Sequence, residues 1–378
     1  MPWQARTPMQ LREEFMQLSR TETIPFSELC RRFAISRKTG YKWRARYAQA
    51  GAAGLGDRSR RPQRSPDQTP AEVEGTIVTL RAAHPRWGAR KLRRRLQDVG
   101  LTPVPATSTL TRILHRQGLL EPRPPGAAPR WRRFEHPVPN SLWQMDFKGP
   151  VRTLAGPGHP LTILDDHSRF NLCLAVLPDQ QTPGVQRALT TTFRRYGLPD
   201  CLLMDNGSPW GNDAAHPWTP LTVWLVRVGT SVSHSRPYHP QTLGKDERFH
   251  RTLTAEVLAT QQWRDRAHCQ AAVDRWRVVY NTERPHEALA LAVPASRYAP
   301  SLRAFPERLL PIEYPAACLV RKVQQGGHCS VHGRAFKVPK AFVGNPIGLR
   351  PTLVDGVYDV LFCHQRILTL DLGGLPKV

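Results

Sequence analysis

Acidic side chains are scarce in this chain. Asp and Glu number 30 against 54 Lys and Arg, which gives a formal charge of +24 over 378 residues. So large a deficit of acid points to a polyanionic partner, and nucleic acid is the commonest one. Paired cysteines are missing as well. The seven cysteines (Cys30, Cys173, Cys201, Cys269, Cys318, Cys329, Cys363) are odd in number, scattered, and form no C-x-x-C. That pattern excludes a zinc site and a disulfide scaffold, and it points to free thiols in a reducing cytoplasm. No apolar run approaches transmembrane length, and Met1-Pro-Trp-Gln begins no signal peptide. The expectation is therefore a cytoplasmic protein without a membrane partner. A solenoid-type internal period is also lacking, so the length implies two or three domains, each able to bury a core.

What charge there is lies unevenly. Residues 1–135 hold 27 basic and 11 acidic side chains, so +16 of the +24 falls in about a third of the chain. Residues 1–60 read as a helix-turn-helix domain. Leu11, Phe15 and Leu18 mark a first amphipathic helix. Ser27 is the expected N-cap of a second, with Leu29, Cys30 and Phe33 inward, and Ser36 caps a third. Trp43 and Tyr47 anchor that third helix, leaving Arg37, Lys38, Thr39, Lys42 and Arg46 on its outer side, an arrangement suited to a DNA major groove. An ordinary three-helix bundle with a solvated basic face is the bland alternative.

Residues 61–135 read as a second helix-turn-helix-like domain with basic linkers. Val73, Ile77 and Leu80 form one stripe; Leu92 and Leu96 form another, with Arg90, Lys91 and Arg94 among five basic residues between 90 and 95. Thr107 or Ser108 should cap a last helix that Gly118 stops. The stretches 51–70 and 121–133 are rich in Arg, Pro and Gly and read as linkers able to track phosphates.

From 136 to 290 the pattern alternates between strand and helix: three β segments, helix, strand, helix, strand, helix, the order of a ribonuclease H-like sheet. Three acids stand out. Asp146 interrupts an apolar strand, Asp205 ends another, and Glu247 lies in the first turn of a helix that opens near Gly244. Phosphodiester cleavage and transfer need an activated attacking oxygen and a stabilised leaving oxygen, for which carboxylates hold two divalent ions roughly 4 Å apart. Each acid has a plainer reading: Asp205-Asn-Gly makes a turn, and Glu247 makes a helix-dipole or salt-bridge partner. Asp165-Asp166-His167 marks a hairpin turn rather than ligands. Asp246 projects about 100° around the helix from Glu247 and is expected to lie outside the site. Pro237 and Pro240 form a stiff lead-in to that helix. A Pro-rich linker (291–315) then leads to short alternating runs at 316–378, read as a small all-β barrel.

Seven ordered segments make the chain recognisable: Ser27-Glu-Leu-Cys-Arg-Arg-Phe, Ser36-Arg-Lys-Thr-Gly-Tyr-Lys-Trp, His84-Pro-Arg-Trp-Gly-Ala-Arg-Lys-Leu, Trp143-Gln-Met-Asp-Phe-Lys-Gly, Asp165-Asp-His-Ser-Arg-Phe, Met204-Asp-Asn-Gly-Ser-Pro-Trp-Gly and the stretch from Pro237 to Leu253. The chain resembles DDE transposases of the insertion-sequence 481 family, within the retroviral-integrase superfamily. The resemblance implies a multidomain protein in which helix-turn-helix modules precede a ribonuclease H-like integrase core and a small β domain. It places the metal-binding catalytic acids on Asp146, Asp205 and Glu247, separated in the last case by 41 residues with an extra loop at 212–220. It implies two divalent cations, Mg²⁺ with Mn²⁺ substituting. The implied reaction is cleavage at transposon ends and joining of the freed 3′-hydroxyl to target DNA without a covalent protein–DNA intermediate. Lys148, Asn206, His239, Lys245, Arg248 and Arg251 become candidate phosphate contacts. Double-stranded DNA, self-assembly into a homo-oligomer and a nucleoid-associated location follow as expectations. A DNA-binding regulator with a silent α/β domain is the alternative.

Overall fold

The computed structural model describes residues 6–59, 68–120, 135–211, 217–235 and 244–374. The chain divides into two compact units, Met1–Gln68 and Thr69–Val378.

In the first unit, α1 (Pro8–Arg20), α2 (Phe26–Arg32) and α3 (Arg37–Ala50) enclose Phe15, Met16, Leu29, Cys30, Trp43 and Leu55. Thr7 and Gln10 form a reciprocal capping box on α1. Ser36 caps α3 as expected, accepting from the Thr39 N–H at 3.1 Å. Ser27 does not cap α2. The Pro25 carbonyl already accepts from Glu28 and Leu29 at 2.9 and 3.0 Å, so the helix starts earlier and Ser27 falls inside it. Helices α2 and α3 meet closely because Gly40 has no side chain: a Cβ there would sit 2.7 Å from Cys30 Sγ.

The second unit opens with α4 (Ala71–Ala83), α5 (Ala89–Asp98) and α6 (Thr107–Arg116), packed on Ile77, Trp87, Leu92, Leu96, Leu110, Ile113 and Leu114. Ala106, not Thr107 or Ser108, precedes α6, and no side chain caps it. Val279 joins this cluster and Arg95 bonds Glu283 at 2.5 Å, so the three helices are fastened to the α/β domain that follows.

That domain runs β1 (Leu142–Phe147), β2 (Val151–Thr153), β3 (Gly156–Asp165), β4 (Asn171–Leu177), α7 (Thr182–Tyr196), β5 (Cys201–Met204), α8 (Pro220–Arg227), β6 (Ser231–His234), α9 (Gly244–Leu253) and α10 (Arg266–Thr282). The sheet order is β4-β3-β1-β5-β6, with β2 hairpinned onto the start of β3. Strands β1, β3 and β4 pair antiparallel, whereas β1, β5 and β6 are parallel. This is the ribonuclease H-like arrangement. Helices α7 and α8 bury Val185, Leu189, Phe193, Leu221 and Leu225 in one core cluster with the sheet; α9 and α10 bury Phe249, Leu253, Val273 and Trp276 in another. Asn281 bonds Asn171 of β4 in both directions (2.8 and 3.0 Å), which fixes α10 along the sheet.

The segment 291–315 lies against the domain, with Leu198 N–H to Arg303 O at 2.7 Å and Ser301 N–H to Tyr196 O at 2.8 Å. Beyond it, β7 (Leu319–Lys322), β10 (Pro346–Pro351), β11 (Val357–Phe362) and β12 (Gln365–Asp371) form a sheet ordered β12-β11-β10-β7. Strands β8 (His328–Val331) and β9 (Arg334–Lys337) form a separate ribbon beside it. The C-terminal region is thus small and all-β. The Gln365 amide bonds both the N–H and C=O of Val232 (2.8 and 2.9 Å), covering the exposed edge of β6. Among the described residues no helix is long and apolar enough to cross a membrane.

Candidate active site

The parallel register of β1 and β5 (Leu142↔Cys201 to Gln144↔Leu203) carries Asp146 and Asp205 to the same level, each two residues beyond the last pair. Two acids therefore meet at the C-terminal ends of adjacent strands, where α/β sheets hold their ligands. Asp146 Oδ1 accepts from the Phe147 N–H at 2.8 Å. Asp205 Oδ1 accepts from the Gly207 N–H at 3.0 Å and from the Trp210 indole N–H, and Trp210 stacks on Phe147 at 5.4 Å. The turn suggested by Asp205-Asn-Gly is real, and it is what orients this carboxylate. Burial, and then the nearby charge of Asp205, push the Asp146 carboxyl up to about 6. A half-buried acid whose charging is opposed by a second carboxylate beside it marks a place that gains from a cation.

Helix α9 packs on β1 beside Asp146. Thr162 Oγ1 donates to the Asp146 carbonyl at 3.0 Å and bonds His250 Nε2 at 2.8 Å. With its one proton on that carbonyl, Thr162 accepts from Nε2–H, so the imidazole presents Nδ1 to Asp146 Oδ2 at 3.9 Å. Burial, then Lys148, pushes His250 down to about 4, so it is neutral at pH 7. Sequence reasoning passed over His250; its place on the buried helix face was the available signal.

The β3–β4 turn also reaches the helix. Asp165 accepts from Asn140 N–H (2.7 Å), Ser168 N–H (2.7 Å) and Ser168 Oγ (2.6 Å), which closes the turn. Asp166 is buried and accepts from His136 N–H (2.8 Å), Gln144 Nε2 (2.7 Å) and the Lys245 ammonium. Lys245, a candidate phosphate contact from sequence, is thus tied inward and holds the start of α9.

The two acids of α9 divide in a way the sequence reading did not expect. The Glu247 side chain is 68% exposed and pairs with Arg251 at 3.2 Å. Asp246 is fully buried, and neither of its carboxylate oxygens has a hydrogen-bond partner among the described residues. Burial, then the charges of Asp146 and Asp166, push its carboxyl well above the usual range. Among the described residues no three His, Cys, Asp or Glu side chains are gathered closely enough to hold an ion. Pro237, His239 and Pro240, with 212–216 of the extra loop, lie outside the described residues.

The remaining candidate DNA contacts fall in two groups. On α3, Arg37, Lys38 and Lys42 are exposed and Thr39 and Arg46 half-buried. Arg12, Lys42 and Arg46 lie 4.1, 4.5 and 5.1 Å from the ring of buried Trp43, so that ring organises part of the basic surface. In the second unit Arg90 is exposed, whereas Arg94 pairs with Asp98 at 2.8 Å. Lys91 is half-buried, and burial, then Arg284, draws its ammonium down to about 8. Lys148 is half-buried just beyond Asp146, Asn206 bonds Ser235 O at 2.9 Å, and Arg248 pairs with Glu287 at 3.6 Å.

Comparison with known families agrees with this architecture in order along the chain. Residues 11–63 match a helix-turn-helix domain and 39–114 a homeodomain-like domain. Residues 136–240 and 228–294 match the integrase core domain, and 318–374 match the C-terminal domain of IS481 family transposases. The insertion element IS407 uncharacterized 31.7 kDa protein of Burkholderia multivorans is 26% identical over 253 residues, covering 63% of this chain and 84% of that protein. The insertion element IS476 uncharacterized 39.2 kDa protein of Xanthomonas euvesicatoria is 24% identical over 245 residues, covering 63% and 68%. A chain of the simian T-cell lymphotropic virus intasome, solved by cryoEM in complex with PP2A regulatory subunit B56 gamma, is 14% identical with a TM-score of 0.37, covering 77% of this chain and 99% of that one. Helix-turn-helix modules, an integrase core domain and a domain matching the C-terminal domain of IS481 family transposases thus follow one another along the chain.

Proposed function

We propose that the chain is a transposase of the insertion-sequence 481 family that binds the ends of its element, cleaves them to free 3′-hydroxyls and joins these to target DNA, with Asp146, Asp205 and Glu247 as the catalytic acids. The observation that carries the reading is the convergence of Asp146 and Asp205 at adjacent strand ends in a chain otherwise short of acid. Their donor set, hard carboxylate oxygens without thiols, fits Mg²⁺ or Mn²⁺. When bound, such ions would supply activation of the attacking oxygen and neutralisation of the leaving one. Asp146 and Asp205 would hold them from the sheet, and Glu247 would turn inward from α9 to complete the set when DNA is engaged. Lys148, Arg248 and Arg251 would hold phosphates, releasing the Glu247–Arg251 pair in the process. Residues 1–60 and 61–135 would read the ends, 136–290 perform the chemistry, 291–315 connect, and 316–378 contact DNA or a second copy. The protein would work as a homo-oligomer on paired ends, on the nucleoid in the cytoplasm.

The test incubates the full chain and its Glu247→Gln variant with labelled DNA carrying the element's ends and Mg²⁺. Joined products from wild type, lost at least a hundredfold in the variant at equal DNA affinity, are the expected result. Unchanged joining by the variant removes Glu247 from the site, nicks without joining mark a nuclease, and shifted but intact DNA marks a regulator.

A further inference from the structure

We infer that Asp246 is a fourth carboxylate of the same site, held buried beside Asp146 so as to share a divalent cation with it. The inference rests on the proposed cation-binding role of Asp146 and Asp205. It concerns a residue that the family resemblance leaves out of the catalytic set.

The geometry comes first. Asp246 and His250 are one helical turn apart and project from the same face of α9. His250 on that face stands 3.9 Å from Asp146 Oδ2 and bonds Thr162, the β3 neighbour of Asp146. The next residue back along α9, Lys245, is tied to Asp166. Asp246 therefore lies between a contact with the β3–β4 turn and the contacts that His250 makes with Thr162 of β3 and Asp146 of β1. Its side chain is 0% exposed, and both oxygens lack a hydrogen-bond partner among the described residues.

A buried carboxylate without a donor is one of the least favourable arrangements in a protein interior. Structural acids in this same domain show the contrast. Asp165 and Asp166 are equally buried, yet each accepts three hydrogen bonds. Among the described residues Asp246 has none, and the charges acting on it are those of two further acids, Asp146 and Asp166, against one cation, Lys245. A side chain that destabilises the free protein and faces another acid is explained by a ligand carrying positive charge. A divalent cation fits because it is hard, small and satisfied by few protein oxygens. Contact through an intervening water would serve as well as direct contact, since oxygen donors just outside the ion still tune its affinity.

The experiment uses the full chain, free of DNA, with Mn²⁺ as the probe. Melting temperature is measured without and with Mn²⁺, and Mn²⁺ affinity by loss of the free-ion electron paramagnetic resonance signal. Asp246→Asn keeps the shape and removes the charge. The expected result has two opposite signs: a melting temperature without ions at or above wild type, and a Mn²⁺ Kd raised about tenfold or more. A lowered melting temperature, or failure to fold, overturns the inference, because it means Asp246 has a structural partner. A Mn²⁺ Kd within twofold of wild type overturns it too. Asp146→Asn serves as the control. If it abolishes Mn²⁺ binding while Asp246→Asn does not, the site stands and only this inference falls. If neither changes binding, the proposed site itself falls.

Discussion

The ion pair between Asp166 and Lys245 joins the β3–β4 turn to the first turn of α9, and removing it should cost stability that can be apportioned. The Asp166 side chain is wholly buried and that of Lys245 is 20% exposed. Asp166→Asn leaves the ammonium without its counter-charge, but lysine keeps part of its hydration. Breaking a buried pair costs about 3–5 kcal/mol, so this partly wet one should cost about 2 kcal/mol. Among the described residues, Lys245→Met leaves the carboxylate inside with His136 N–H and Gln144 Nε2, neutral donors at 2.8 and 2.7 Å. That cost should be larger, about 3 kcal/mol. The double variant buries neither charge unpaired and should cost about 3 kcal/mol or less, not the sum. A coupling of about 2 kcal/mol is then the signature of a direct pair. Urea unfolding followed by tryptophan fluorescence reads all four proteins. Costs that add to within about 0.5 kcal/mol would refute the reasoning, because the two side chains would then be stabilised by other partners. The functional counterpart is that the double variant should bind DNA ends nearly normally and join them poorly, since α9 loses its anchor.

Gly40→Ala should destabilise the first unit by about 1–3 kcal/mol through overpacking, because its Cβ would lie 2.7 Å from Cys30 Sγ and 3.1 Å from Phe26 Cζ. End binding should weaken with it, and an unchanged DNA Kd would show that α3 does not read DNA. The raised Asp146 carboxyl, about 6 against an ordinary 3.8, means the folded protein holds a proton that the unfolded chain has released. Stability without divalent ions should therefore fall as pH rises from about 4 to about 6, by up to about 3 kcal/mol from this group. Asp146→Asn should flatten that slope, which a series of urea midpoints measures.

The fold was legible where periodicity and punctuation agree. Strand β5 is a short apolar run closed by the Asp205-Asn-Gly turn, and Gly197 ends α7 where the glycine predicts it, at φ 76°. Cap positions were less legible, because a proline carbonyl or a plain alanine can open a helix beside a hydroxyl residue suited to cap it, as at Ser27 and Thr107. The basic run of α5 was legible as charge but not as direction. Arg95 turns toward Glu283, a residue nearly two hundred positions away, and no local pattern announces such a partner. Asp165 and Asp166 look alike in sequence, yet one closes its own turn and the other reaches α9.

The site turns on the phase of one helix, and here the sequence held more than a spacing count extracts. Counting from Glu247 gives Phe249, His250, Leu253 and Val257 a helical rhythm, but a rhythm does not state which residues lie at its centre. At about 100° per residue, Phe249, His250, Leu253 and Val257 cluster within a narrow arc. Asp246 falls in the middle of that arc, and Glu247 falls on its flank. The buried residues of α9 are Asp246, Phe249, His250 and Leu253, as that arc requires. Burial of an acid at the centre of an apolar face contradicts hydrophobicity but obeys geometry. Geometry wins because three large side chains fix the rotation of the helix and a single carboxylate cannot reverse it. At that flank Glu247 stays exposed and pairs with Arg251 at 3.2 Å. The same rotation that leaves Glu247 available is the one that commits Asp246 to the interior beside Asp146, so the two acids of α9 cannot be interchanged without refacing the helix.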